Sequence, residues 1–131
     1  MTLKYHTRRD YMKIIGKNPI TGLDYPDPDV IRVDDTYYMV STTMHFVPGC
    51  EILRSYDLVH WEHLSYVYER LDSTEEQRLV GEKNCYGKGM WAASLRYHKG
   101  MYYICFVAND TGKTYLYTAD NIEGQIGRAH V

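Results

Sequence analysis

The chain has 131 residues, enough for one ordinary domain, and its 15 basic and 17 acidic side chains give a formal net charge of −2. This balance gives no support to binding of nucleic acid or of an anionic membrane surface. The 14 tyrosines far outnumber the two phenylalanines. Because tyrosine joins an apolar ring to a polar tip, this composition suits half-buried strands and surfaces that bind polar, ring-shaped ligands such as sugars.

The three cysteines indicate neither a disulfide framework nor a zinc site, because their number is odd and no two have C-x-x-C spacing. Cys105 lies in an apolar run, which predicts a buried structural thiol. Residues 1–17 lack the apolar segment of a signal peptide, and no stretch approaches the length of a membrane span. From these features we expect a cytoplasmic location.

The hydrophobic pattern predicts short strands along most of the chain. Residues 1–17 have little periodicity and are interpreted as an arm, and a turn signal follows it. Residues 69–89 are rich in charge and glycine and predict a long loop with one helical turn at 73–76, either functional or disordered. Hairpin turns between the strands favour antiparallel β structure. The predicted strands are 30–33, 36–42, 51–55, about 62–67, 91–97, 101–107 and 114–118.

The chain also repeats itself at an offset of 65 residues. Residues 35–39, DTYYM, match 100–104, GMYYI, and residues 52–57, ILRSYD, are echoed at the slightly shorter offset of 63 by 115–120, YLYTAD. A repeat of about four short strands is typical of a β-propeller blade. Because a closed ring needs roughly four to eight blades, two blades form part of a propeller only.

The stretch YPDPD at 25–29 holds Asp27 between two prolines. Proline fixes its own φ and pushes the preceding residue into extended geometry, so we expect Asp27 to have one extended pose at the start of a strand. Such a pose suits a positioned catalytic carboxylate. The alternative is an Asx-type turn in which Asp27 only accepts backbone N–H bonds.

The same offset places Asp27 and the pair Trp91–Ala92 at equivalent positions on the first strands of consecutive blades, which line the central channel of a propeller. A carboxylate beside an indole suits glycoside chemistry, because the ring stacks on the sugar while the carboxylate handles water or a proton. The alternative for Trp91 is a core residue between blades.

Several short motifs follow one another along the chain: NP at 18–19, Gly22, YPDPDVIRV at 25–33, YY at 37–38, PG at 48–49, SYDLVHW at 55–61 and GMWA at 89–92. In their order and spacing over residues 18–124, these motifs resemble the N-terminal part of glycoside hydrolase family 43. The resemblance implies a five-bladed β-propeller and an inverting enzyme, of which β-xylosidases, α-L-arabinofuranosidases and arabinanases are the main kinds. It also implies no catalytic cofactor.

The resemblance also sets the expected domain boundaries. The partial catalytic propeller covers 18–124, with blade 1 at about 25–69 and blade 2 at about 90–124. Residues 125–131 depart from the family abruptly. One reverse translation of 126–131, IGRAHV, matches a widely used sequencing-adapter sequence, so we expect this tail to be non-native.

The resemblance also implies roles for individual residues. The first aspartate of the family's Pro-Asp-Pro motif is the general base, which implies this role for Asp27. Trp91 matches the tryptophan of a Trp-Ala-Pro motif that borders the subsite for the cleaved sugar, although Ala93 stands where proline is usual. Phe46 and His45 match a loop that contacts the sugar and are candidate subsite residues. The alternative for His45 is a solvent-exposed loop histidine.

The segment HWEH at 60–63 could be mistaken for a metal site, but it lacks the spacing that puts two histidines on one helix face. Trp61 belongs instead to the family's Asp-Leu-Val-x-Trp pattern, which we interpret as blade packing. We therefore expect no metal site among these residues.

The resemblance implies a xylo- or arabino-oligosaccharide substrate, and no nucleic-acid or membrane partner is expected. In the family, the pKa-tuning aspartate and the glutamate general acid follow the second blade, so we expect residues 1–131 alone to be inactive. The rival interpretation is a non-catalytic carbohydrate-binding propeller fragment. That interpretation gives no reason for the two prolines around Asp27.

Overall fold

The computed structural model describes residues 16–44, 49–123 and 126, and the backbone of 129–130. Within these residues it contains only β-strands, turns and loops, and no helix there is long and apolar enough to cross a membrane. The strands are β1 (Asp29–Val33), β2 (Thr36–Ser41), β3 (Gly49–Ser55), β4 (Glu62–Tyr68), β5 (Met90–His98), β6 (Met101–Ala108), β7 (Lys113–Ala119) and β8 (Ala129–His130).

The strands form two four-stranded antiparallel sheets, with the orders β1-β2-β3-β4 and β5-β6-β7-β8. The first hairpin pairs Val33 with Thr36, and the equivalent hairpin 65 residues later pairs His98 with Met101. Each hairpin has a two-residue turn. Such turns need left-handed backbone, which Gly100 supplies in the second turn with a φ of 81°. The sequence repeat is therefore a repeat of structure, and the predicted all-β fold of two blades is confirmed.

The core lies between the two sheets, where the alternating side chains of facing strands meet. Phe106 on β6 stacks on Tyr115 of its own sheet, with ring centroids 5.4 Å apart, and on Tyr68 of the first sheet at 5.5 Å. Tyr38 and Tyr102 meet edge to face at 5.7 Å nearer the first strands. Aromatic pairs in these geometries add to the free energy gained from burial alone, so these tyrosines contribute to the interface beyond the area they bury.

The cysteines differ from the prediction in one respect. Cys105 is only partly buried, whereas Cys50 and Cys85 are buried, and all three are free thiols. Residue 105 alternates with the inward-facing residues of β6, so its side chain lies on the face of the second sheet that points away from the first. An apolar run alone does not show which face of a strand is covered.

The loop between the blades, residues 69–89, packs on the second sheet. Leu71, Gln77 and Cys85 are buried within it. The backbone N–H of Arg78 donates to the carbonyl of Thr74 at 3.1 Å, which is the i to i+4 hydrogen bond of a helical turn. The loop is thus a packed element whose helical turn lies slightly after the predicted position.

Strand β8 was not predicted. It extends the second sheet by pairing with β7, where Tyr117 faces Ala129 and Leu116 faces His130. An edge strand offers unpaired N–H and C=O groups to any extended backbone and demands little of its side chains. The alternation of apolar residues in the sequence therefore does not indicate this strand.

We predict that Gly49→Ala destabilises the fold. A Cβ atom at residue 49 would lie 1.9 Å from both Cζ and Oη of Tyr68, and Tyr68 is held in place by its stacking on Phe106 and Tyr117. Overpacking of this kind costs about 1–3 kcal/mol, measurable as a loss in the free energy of unfolding by urea. Gly22→Ala is the matched control because a Cβ atom there has open space. Equal stability of the two variants would contradict the prediction.

Candidate functional site

The beginnings of β1 and β5 meet at Thr42, just after β2. The Thr42 hydroxyl donates a buried hydrogen bond to the carbonyl of Met90 at 2.7 Å, and its backbone N–H donates to the carbonyl of Pro26 at 3.4 Å. The residue that follows Pro26 is Asp27, and the residue that follows Met90 is Trp91. Thr42 therefore holds the two candidate site residues at the same end of the two blades.

The backbone around Asp27 differs from the expected extended pose. Asp27 has a φ of 49°, in the left-handed region that aspartate adopts more readily than most residues. The preceding carbonyl of Pro26 is fixed by a second hydrogen bond, from the Ser41 hydroxyl at 2.7 Å. With this carbonyl anchored to β2 and Pro28 fixed in φ, the chain turns sharply at Asp27 before β1 begins.

The side chain of Asp27 is exposed. No hydrogen bond or ion pair joins its carboxylate to another residue in the part of the chain that the structure describes. The alternative of an Asx-type turn, in which this carboxylate accepts backbone N–H bonds, therefore finds no support. As far as the described residues go, both carboxylate oxygens are open to water or a ligand on a fixed backbone.

Trp91 is 44% exposed, so it is not a core residue between blades. Its indole Nε1 donates to the carbonyl of Gly87 at 3.1 Å, which ties the ring to the end of the long loop. Strand β5 has a register shift between Met90 and Ala93. Bulges of this kind re-aim side chains and often lie next to functional sites. Ala93, where the family pattern has proline, closes this irregular stretch.

The other two candidate residues, His45 and Phe46, lie outside the described residues. Met44 is the last described residue before them, and it contacts the same joint. Its backbone N–H donates to the Thr42 hydroxyl oxygen at 3.0 Å. The structure thus brings Asp27 and Trp91 to one end of the sheets, and the roles of all four residues stay predictions.

Asp29 is a site residue that the sequence reasoning missed. Its Oδ2 accepts hydrogen bonds from three consecutive residues of β5: the backbone N–H of Leu95 at 2.9 Å, the guanidinium of Arg96 at 2.7 Å and the hydroxyl of Ser94 at 3.3 Å. Asp29 thereby joins the first strands of the two blades two residues after Asp27. The sequence carried one signal for this contact, because the repeat offset of 65 residues pairs Asp29 with Ser94.

The pKa of Asp29 reflects these contacts. Partial burial alone would raise the pKa, but the hydrogen bond from the Leu95 N–H and the hydrogen bond and charge of Arg96 outweigh burial and lower it. The carboxylate is therefore held in its ionised form, as suits a fixed structural joint.

The two histidines of the segment 60–63 each contact a different carboxylate. His60 Nδ1 lies 2.7 Å from the Asp57 carboxylate and His63 Nδ1 lies 2.9 Å from the Glu51 carboxylate. The hydrogen bond from His60, followed by those from backbone N–H groups, lowers the pKa of Asp57 strongly. In the described ranges no three histidine, cysteine or acidic residues group in a way that could hold a metal ion.

Trp61 lies beside the segment that precedes Asp27. It is half-buried, its Nε1 donates to the carbonyl of Leu58 at 3.2 Å, and it lines a cavity of about 260 Å³ with Ile20, Leu23 and Tyr25. Trp61 thus contributes to packing on the outer side of the first blade, on the segment that leads to Asp27.

Two consecutive four-stranded antiparallel sheets, packed face to face with their first strands joined, are blades of a β-propeller. An exposed carboxylate and an exposed indole lie at one end of these first strands. The chain belongs to glycosyl hydrolases family 43, whose sequence model matches residues 16–127.

Relatives of the chain include named glycosidases. A β-xylosidase of Formosa agariphila is 37% identical over 82% of this chain and 18% of its own length. A non-reducing end α-L-arabinofuranosidase of Bacteroides ovatus is 39% identical over 67% of this chain and 16% of its own length. The chain thus spans less than a fifth of the length of these relatives.

A solved structure with the same fold is the bifunctional GH43-CE protein of Bacteroides eggerthii. It is 47% identical, with a TM-score of 0.80 over 87% of this chain and 15% of that protein. Since the similarity covers 87% of this chain, the two blades here have the arrangement found in a family 43 enzyme.

We predict that Asp29→Asn weakens the joint between the blades. Loss of a charged acceptor shared by three donors costs about 1–2 kcal/mol, measurable as a lower free energy of unfolding at pH 7. Because the pKa of Asp29 is lower in the folded chain, its contribution is present above the unfolded pKa of about 4 and is lost as the pH falls through the folded value.

The wild-type chain should therefore lose more stability than Asp29→Asn on acidification below about pH 4. Asp35→Asn is the control, since the side chain of Asp35 is fully exposed in its ion pair with Arg32. Parallel pH profiles of the wild type and Asp29→Asn would contradict the prediction.

Proposed function

We propose that this chain is part of a glycosidase that hydrolyses O-glycosidic bonds in xylose- or arabinose-containing oligosaccharides or polysaccharides with inversion of configuration. In this proposal Asp27 is the general base. The observation that carries the proposal is the state of the Asp27 carboxylate, which is exposed and unpaired among the described residues on a backbone anchored beside Trp91.

The chemistry of inversion fits an open carboxylate of this kind. A general base takes a proton from water as the water attacks the anomeric carbon, while an acid on the opposite side protonates the leaving oxygen. Acid and base stand roughly 6.5–9.5 Å apart to leave room for that water. Asp27 would hold and deprotonate the water, and the acid would come from the rest of a longer protein.

Trp91 would form one wall of the sugar subsite. An indole face is apolar and electron-rich, so it stacks on the C–H face of a sugar ring while the polar edges of the ring remain free for hydrogen bonds. His45 and Phe46 are the further candidates for contact with the same sugar. The relatives named as a β-xylosidase and an α-L-arabinofuranosidase support a pentose in this subsite.

We predict that Asp27→Asn in the full-length gene product lowers kcat by at least about a hundredfold, because asparagine cannot accept the proton of the attacking water. Release of nitrophenol from aryl xyloside and aryl arabinofuranoside would be measured, and far-UV circular dichroism would show that the fold is kept. Asp24→Asn is the matched control, an exposed aspartate three residues upstream. A near-normal kcat in Asp27→Asn would contradict the assignment of Asp27 as the general base.

The stereochemistry gives an independent test of the proposal. Proton NMR of the first-formed product should show the anomeric configuration opposite to that of the substrate. Retention of configuration would overturn the inverting mechanism. Tight oligosaccharide binding without hydrolysis by the full-length wild type would favour the non-catalytic carbohydrate-binding interpretation instead.

A further inference from the structure

Gln77 is an unusual residue for a loop, because its side chain is completely buried, with 0% exposure. Its amide nitrogen donates to both carboxylate oxygens of Asp110 at 3.0 Å, and its amide oxygen accepts from the backbone N–H of Ser73 at 2.9 Å. A buried amide with its donors and acceptor satisfied fixes geometry more strongly than apolar packing alone. Gln77 thus pins the long loop to the turn between β6 and β7.

Asp110 makes several of the hydrogen bonds that hold the loop to this turn. Besides the amide of Gln77, its carboxylate accepts from the Thr74 hydroxyl at 3.4 Å, and its backbone N–H donates to the carbonyl of Lys88 at 2.8 Å. The neighbouring N–H of Asn109 donates to the carbonyl of Gly89 at 3.0 Å. One short turn therefore holds both the helical turn of the loop and the loop's last residues before β5.

Those last residues carry the indole of Trp91. Its Nε1 donates to the carbonyl of Gly87, one residue before the anchored Lys88. Because nearly half of the Trp91 surface is exposed, core packing alone does not set the ring's orientation. The hydrogen bond to the anchored loop end is the contact that fixes the ring.

We propose that Gln77 and Asp110 are positioning residues for Trp91 and, through it, for the sugar subsite. The inference rests on the proposed function, in which Trp91 stacks on the substrate. Neither residue reaches the substrate in this scheme. Their effect is to hold the carbonyl of Gly87 where it keeps the indole in the stacking orientation, because stacking depends on the distance and tilt of the ring.

The first test is kinetic and uses the full-length gene product. Gln77→Met keeps the volume and removes both polar groups, and Asp110→Asn keeps the shape and removes one of two acceptor oxygens. We expect KM for an aryl pentoside to rise roughly tenfold with kcat within about twofold, because the lost interaction binds ground state and transition state alike. Lys83→Ala is the matched control, since Lys83 pairs with Glu75 on the exposed side of the same loop.

The second test is spectroscopic and does not depend on turnover. It uses the full-length gene product, in which the emission of Trp91 is the difference between a protein and the same protein carrying Trp91→Phe. In this difference signal, Gln77→Met and Asp110→Asn should shift the emission of Trp91 to longer wavelength and increase its quenching by acrylamide. Lys83→Ala should leave both unchanged.

An unchanged KM together with unchanged Trp91 emission would overturn the inference, even if the Tm of the variants falls. A fall in kcat at constant KM would also overturn it, because it would place the effect on the reacting groups. If Gln77→Met does not fold, the KM and the Trp91 emission of Asp110→Asn decide whether the inference holds. If the wild-type full-length protein hydrolyses no pentoside, the proposed function fails, and Trp91 emission alone decides the inference.

Discussion

The site depends on the polar joint between the first strands of the two blades. Asp27 and Trp91 belong to different sheets, so their relative position is set only by what connects those sheets at this end. The buried hydrogen bond from Thr42 to Met90 does this at 2.7 Å, and Asp29 adds three contacts to β5. Buried hydrogen bonds are directional where apolar packing is not, so this joint fixes register and orientation together.

Away from the first strands, the two blades are held by aromatic packing. Tyrosines supply much of it, and the burial of Tyr117 raises the pKa of its hydroxyl to about 12. Such a hydroxyl stays neutral at physiological pH, so its burial costs far less than burial of a charge. Five of the tyrosines that suggested a sugar-binding surface belong to the core, whereas Trp91, at the same end of the sheets as Asp27, is exposed.

The two blades contribute differently to the site. The first blade supplies the carboxylate, on a sharp turn at Asp27 whose preceding carbonyl is anchored to β2. The second blade supplies the indole of Trp91, at a bulged strand start that the long loop supports. A loop anchored through the buried Gln77 gives a stiffer support than an exposed one, because its opening would break the hydrogen bonds between Gln77 and Asp110 and the packing around a fully buried side chain.

The sequence by itself determined strands β1 to β7, the hairpin turns, the two-blade repeat and the family, because these follow from local alternation, turn chemistry and motif spacing. It also singled out Asp27 and Trp91. Tertiary structure alone decided the left-handed turn at Asp27, the pairing of β8 with an open edge, and the hydrogen-bond partners of Asp29 and Gln77. These depend on contacts between residues 12 to 67 positions apart, and local patterns in a single sequence do not record which distant partner a residue will meet.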